Sequence, residues 1–199
     1  PVLLDECLAA LEPGHGGSFA DLTFGGGGHS RAILEASSES NLLAMDCDPD
    51  AKDRSESFVL EFDDRFNFCD SSFRDLDQFS SAGEFDGILM DLGISSFQLM
   101  EPVKGFSFRL DAPIDMRLDP RVGQSAAEFL ETASYESLVR AVREYGEEKR
   151  WRRVVEAIIQ ARGTGLLSRT MSAAEMVSNA VGGRNFRQRI HPATKTFQG

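Results

Sequence analysis

One stretch constrains this chain more than any other: Phe19-Ala20-Asp21-Leu22-Thr23-Phe24-Gly25-Gly26-Gly27-Gly28-His29-Ser30. It reads as the end of an apolar strand, an acidic residue, a run of four glycines and a helix start. A glycine run lets the backbone turn sharply and lets a ligand lie against it without meeting a Cβ. A helix over about residues 29–36 would direct its first N–H groups back at the loop. The stretch therefore predicts a strand–loop–helix unit suited to a nucleotide-like ligand. A plain flexible turn is the competing reading. Asp46 favours the ligand. It lies 18 positions after Gly28, near the ~20 expected of an acidic residue that bonds a ribose hydroxyl pair. A carboxylate suits that task because it accepts two charge-assisted hydrogen bonds.

The flanking pattern alternates. Leu3, Leu4, Cys7, Leu8 and Leu11 have helical spacing, ended by Pro13-Gly14. Strands are expected at 18–21, 41–46, 65–69 and 85–91. Helices are expected at 49–60, with Asp48 as cap and Pro49 at its first position, and near 72–79. This order predicts an α/β fold: a parallel sheet covered by helices on both faces. Ligands of such sheets bind beyond the carboxyl ends of the strands, at the switch in strand order. Asp21, Asp46, Asp70 and Asp91 each fall at such an end. After Ser96 the alternation stops. Residues 97–123 read as an ordered loop, followed by helices at 125–132, 134–145, 147–161 and 172–181, the last opening on a Ser172–Glu175 capping box.

At 199 residues and 41% apolar content, one domain, or one domain with an insertion, can bury a sizeable core. Nothing in it reads as a signal peptide or a membrane span, so a soluble, cytoplasmic protein is expected. Three scattered cysteines and three scattered histidines suggest neither a disulfide framework nor a metal site. The net charge of −11 argues against simple nucleic-acid binding, but it is uneven. Residues 1–120 hold 8 Lys+Arg and 24 Asp+Glu (−16); residues 121–199 hold 13 and 8 (+5). An acidic first part and a basic second part suggest different tasks, with solvated helix faces as the plainer explanation.

Other residues fit the same chemistry. The dinucleotide fingerprint G-x-G-x-x-G is not met, because Gly25-x-Gly27-x-x leads to Ser30. That weakens a nucleotide-dependent oxidoreductase. Asp21 suits the cationic amino-acid end of a ligand such as S-adenosylmethionine. Phe73 offers an apolar face for an adenine, or else packs in the core. Asp91 leaves the fourth strand where a transferred group would sit. Phe106, Phe108, Arg109 and Arg117 pair aromatic rings with cations, as suits an unstacked base and phosphate, or as suits a packed loop with ion pairs. Lys149-Arg150-Trp151-Arg152-Arg153 sits at a helix junction, as an RNA-facing patch or as charge decoration.

Taken together, these motifs resemble the bacterial 16S rRNA cytosine-N4 methyltransferases, the RsmH or MraW family. The matching stretches are Pro1 to Glu6, Asp21 to Ser30, Asp46 to Pro49, Asp86 to Ser96 with Gln98, Gly105 to Phe108, Asp115 to Arg117, Glu144 to Glu148 and His191 to Gln198. The resemblance implies a Rossmann-like methyltransferase core that binds S-adenosylmethionine, with an all-helical domain inserted after the fourth strand. It implies cofactor contacts at Gly27, Gly28, His29, Asp46, Phe73, Asp91 and Gln98. It implies small-subunit rRNA or an assembling 30S particle as partner, and is compatible with a homodimer. By analogy with other amino-methyltransferases, Asp91, Ser95 and Ser96 are candidates to orient and deprotonate the amine. The expected division is a cofactor-binding core at 1–96, a connecting loop at 97–124, a helical RNA-facing domain at 125–185 and a return segment at 186–199.

Departures from the family pattern are Phe97 where proline is common, Lys104 for arginine, Ile114 for leucine and Leu118 for methionine. The family also continues beyond the position of Gly199, so a C-terminally truncated fragment is expected. On that reading the 199 residues alone would transfer methyl groups negligibly. A non-catalytic RNA-binding or ribosome-assembly module is the alternative from another class.

Overall fold

A computed structural model describes residues 1–182 and 190–199, in two compact units, Pro1–Phe97 and Gln98–Gly199. The expected boundary between 185 and 186 lies outside the described residues.

The first unit is a sheet of four parallel strands in the order β3-β2-β1-β4. The strands are β1 (Gly17–Asp21), β2 (Ser40–Asp46), β3 (Phe66–Asp70) and β4 (Gly87–Leu89). Helices α1 (Leu4–Leu11), α2 (Gly28–Ala36) and α3 (Pro49–Phe62) belong to this unit. The third connection carries a 3-10 segment, Phe73–Gln78, in place of a full α-helix. The chain steps outward from β1 to β3, then returns across β1 to place β4. The order thus switches at the β1–β4 pair, where a parallel sheet opens a crevice at its carboxyl edge.

Local chemistry explains these elements. Asp48 accepts from the Asp50 amide at 3.0 Å and Pro49 occupies the first turn of α3. Ala51, Ser55, Phe58 and Phe62 recur at helical spacing and are buried. Phe24, Phe58, Phe62 and Phe66 form one packed aromatic group with ring centroids 5.1–5.9 Å apart. At the amino ends of the strands, Arg65 Nη1 donates to the carbonyls of Leu34, Ser37 and Ser40 at 3.0, 2.9 and 3.2 Å.

The short helix α4 (Ser96–Met100) crosses the division between the units. The second unit contains α5 (Ala126–Thr132), α6 (Tyr135–Val139), α7 (Trp151–Ala161), α8 (Thr170–Ala180) and α9 (Thr194–Gln198). Its core is Leu138, Val142, Val154, Val155, Ile158, Leu167 and Val177, with Phe108 and Phe197 against it. Three expectations need correction. The helix expected to 145 becomes a π-helix over Arg140–Tyr145, closed by the Gly146 amide on the Ala141 carbonyl at 2.9 Å. The helix expected from 147 starts at Trp151, because Glu147 takes a φ of 51°. The capping box lies at Ser125 and Glu128, not at Ser172, which is inside α8 and bonds back to the Leu166 and Arg169 carbonyls.

Candidate cofactor cleft

The glycine loop is held from three sides. Asp21, at the end of β1, is fully buried. Its Oδ1 accepts from the Thr23 amide at 3.1 Å and its Oδ2 from the Ser30 hydroxyl at 2.6 Å. It fastens the loop's entry to the first turn of α2, and burial raises its pKa. The Phe24 amide donates to the Met45 carbonyl at 3.0 Å. The Gly25 amide donates to Asp46 Oδ2 at 2.7 Å, while the Asp48 amide donates to Asp46 Oδ1 at 2.9 Å. Burial raises the Asp46 pKa too. Arg54 Nε donates to the Gly25 carbonyl at 2.8 Å.

The glycines are required by shape. Gly25 and Gly27 have φ of 54° and 75°. A Cβ on Gly26 would strike the Phe97 ring, and one on Gly27 would strike Phe58. Phe97 therefore covers the loop, with the Arg54 guanidinium 5.2 Å from its ring centre.

On the other side of the switch, the Asp91 amide donates to the Thr23 hydroxyl at 2.8 Å. Thr23 thus ties the exit of β4 to the exit of β1. Asp91 and Ser96 are exposed, Ser95 is half-buried, and the Ser95 Cβ lies 3.8 Å from where a Cβ on Gly25 would be. Asp21, Gly27, Gly28, Asp46, Asp91 and Ser95 are thereby gathered around one loop at the carboxyl edge of the sheet.

Other expected site residues stand differently. The imidazole of His29 is buried with Nε2 3.0 Å from the Val2 carbonyl, which ties α2 to the N-terminal segment. Phe73 opens the 3-10 segment after β3 and is 40% exposed, so a face remains open. Gln98 is buried and belongs to the second unit. Phe106 is half-buried and Arg109 exposed. Phe108 packs on His191 and Phe197, with centroids 4.7 and 4.9 Å away, so its ring serves the second unit's core. Arg117 forms a two-pronged pair with Asp115, both bonds 2.7 Å, and Nη1 reaches the Gly123 carbonyl. It clasps its own loop, which is the ion-pair alternative.

Sequence reading assigned no role to Arg54 or to the Thr23 hydroxyl, and took Phe97 only as a departure. Their partners are 29, 68 and 43 positions away in sequence, beyond any local pattern.

Along its whole length, residues 1–199, the sequence matches the model of one known family. The chain belongs to the MraW methylase family. Proteins named ribosomal RNA small subunit methyltransferase H are similar to it throughout: 45% identical in Thermomicrobium roseum, 46% in a Cyanothece species and 44% in Nitrosococcus oceani. Each similarity covers 100% of this chain, and 61%, 65% and 64% of the respective relative. The chain thus spans less than two thirds of these relatives' length. Membership of a methylase family leaves the oxidoreductase and the non-catalytic module without support. Among the described residues no helix is long and apolar enough to cross a membrane.

Proposed function

We propose that this chain carries the cofactor site and part of the RNA-docking surface of an S-adenosylmethionine-dependent methyltransferase, acting on the exocyclic N4 amine of a cytidine in small-subunit rRNA. The observation that carries the reading is the pairing of Asp46 with the Gly25 amide in a glycine loop that turns through φ of 54° at Gly25 and 75° at Gly27. Asp46 presents a carboxylate to ribose hydroxyls from a brace that fixes its rotamer. Gly27 and Gly28 carry the chain into α2, whose first N–H groups would face the ligand, and the open face of Phe73 suits an adenine. When bound, S-adenosylmethionine supplies an electrophilic methyl group on a sulfonium.

The rest is positioning. A cytosine amine is a weak nucleophile, because its lone pair is delocalised into the ring. An unstacked base must be held with N4 in line with the methyl group. Asp91 stands at the switch point with an exposed carboxylate and a backbone fixed by Thr23. It is suited to accept a hydrogen bond from the amine and then its proton, with Ser95 and Ser96 beside it. Arg109 and the helical unit's cations would meet the RNA. The test is transfer of labelled methyl groups to small-subunit particles by a protein that carries this chain at its relatives' full length, with the modified nucleotide mapped. Label on N4 of a single cytidine is the expected result, and label elsewhere or none overturns the reading.

A further inference from the structure

The start of α7 carries charge that its own surroundings do not balance. Lys149, Arg150, Arg152 and Arg153 line one open concavity of about 320 Å³. Arg152 and Arg153 lie in the first turn of α7 and Lys149 and Arg150 immediately precede it, with no acidic residue in that turn. This is the positive end of the helix macrodipole, where cations are disfavoured and anions stabilised. Glu148, a buried acid just before the helix, accepts the Arg150 backbone amide at 2.7 Å and, among the described residues, is in no ion pair with a side-chain cation. Among the described residues none of the four cations is in an ion pair. A like-charged cluster set against a helix dipole works against folding, and an arriving polyanion reverses that penalty.

The cations are not equivalent. The Arg150 guanidinium is anchored on the Val181 carbonyl. Lys149, Arg152 and Arg153 are exposed. The guanidinium carbons of Arg152 and Arg143 lie 4.3 and 5.3 Å from the centre of the Trp151 ring. Two guanidinium planes are thus held on one indole, which limits their side-chain freedom before any ligand arrives.

We infer that Lys149, Arg152 and Arg153, with Arg143 held beside them on Trp151, form a docking face for the phosphodiester backbone of single-stranded RNA. The inference rests on the proposed rRNA substrate and adds where the strand is gripped. An anionic membrane fits less well, because the apolar face of α7, Val154, Val155, Ile158 and Ala161, is buried in the core and leaves little to enter a bilayer. The face reads charge and shape rather than base edges, so binding depends on salt and little on sequence.

The test uses the 199-residue chain and a fluorescein-labelled single-stranded RNA 12-mer of mixed sequence, followed by anisotropy across a salt series. Each phosphate neutralised on a single strand contributes about 0.7 to the slope of log affinity against log salt. Replacing Lys149, Arg152 and Arg153 together by alanine is expected to lower that slope by about 2 and to weaken binding more than tenfold at low salt. Circular dichroism and S-adenosylmethionine affinity should stay at wild-type values. Trp151→Phe should keep most of the binding, because it keeps an aromatic face. An unchanged slope in the triple variant overturns the inference, as does a wild-type chain that ignores the 12-mer or binds phosphatidylserine vesicles in its place. Failure of the parent reading shows elsewhere, as absent methyl transfer by a protein carrying this chain at its relatives' full length, while the salt slopes stand.

Discussion

The Gly25 amide and the Asp46 carboxylate are 2.7 Å apart, 21 residues apart in sequence, and join the glycine loop to the end of β2. One side chain thus shapes the loop and offers the remaining lone pairs of its carboxylate to a ligand. Asp46→Ala removes both roles. Hydrogen bonds to charged groups contribute about 1.5–3 kcal/mol, so S-adenosylmethionine affinity is expected to fall about 10- to 100-fold. Calorimetry on a variant with wild-type circular dichroism checks this, and unchanged affinity would falsify it.

Protonation of Asp46 should act in the same direction. Burial raises the pKa of Asp46 and of Asp21, so both take up protons at a higher pH than the ordinary 3.8. Cofactor affinity should therefore decline on mild acidification, in a window that opens above that value. Stability from these two groups runs the other way. A carboxylate with a raised folded-state pKa makes the ionised fold less stable above its unfolded pKa, so protonating it does not weaken the fold. Asp115 is the reverse case. Hydrogen bonds from Arg117 lower its pKa, so its contribution is lost only as pH falls below 3.8 through the folded value. Affinity should thus drop before these groups lower the melting temperature. An Asp46→Asn variant should bind weakly with a flatter pH profile.

Arg54 braces the loop from the opposite side. Its side chain is 25% exposed, so its bond to the Gly25 carbonyl is partly screened. Arg54→Ala is expected to reduce cofactor affinity about fivefold, corresponding to about 1 kcal/mol. Lysine should restore only part, because an ammonium lacks the planar surface that meets Phe97. Equal affinities for wild type, alanine and lysine variants would remove Arg54 from the site.

Thr23 makes a simpler test. Its hydroxyl is the acceptor for the Asp91 amide. Thr23→Val keeps the shape and loses the acceptor, with an expected cost of about 0.5–1.5 kcal/mol in chemical denaturation. Thr23→Ser should keep most of the stability. If valine and serine unfold at the same denaturant concentration, the β1–β4 tie contributes nothing measurable.

In the second unit, Ile158 is fully buried among Leu138, Val154 and Leu167. Ile158→Ala should cost about 2–5 kcal/mol. A loss below 1 kcal/mol, measured by denaturant unfolding, would mean that this core is loosely packed.

Which features were legible follows from how far apart their causes lie. The Asp48–Pro49 start of α3, the glycine turn and the aspartates that close β1, β2 and β3 are local patterns, and the structure has them at those positions, whereas the strand expected at 85–91 covers only Gly87–Leu89 and leaves Asp91 two residues beyond its end. The start of α8 is not local. The Thr170 hydroxyl accepts from the Ala112 amide and donates to the Leu110 carbonyl, and the Asp111 carboxylate accepts the Met171 amide at 3.3 Å. A segment some 60 residues earlier thus draws the helix start forward to Thr170, past the Ser172 box that the sequence offered. The delayed start of α7 is similar: Gly146 is pressed against the Lys195 carbonyl, and Lys195 Nζ reaches the Glu147 carbonyl at 3.2 Å. Arg117 was ambiguous because an arginine able to meet phosphate is equally able to chelate an aspartate two residues away.

The three carbonyls gathered by Arg65 have a consequence for interpreting mutants in living cells. They belong to the last turn of α2, to its cap and to the first residue of β2, while Arg65 itself directly precedes β3, so the cluster sits at the end of the strands away from the glycine loop. Losing that arginine leaves every cleft residue in place but makes the folded state scarcer. A destabilisation of only about 1–2 kcal/mol changes protein abundance several-fold. On the proposed function, an Arg65 variant and an Asp46 variant would therefore give the same deficit in modified RNA for opposite reasons. In the first, few molecules would each work normally; in the second, a full complement would each work poorly. Raising expression would rescue the first and leave the second nearly unchanged.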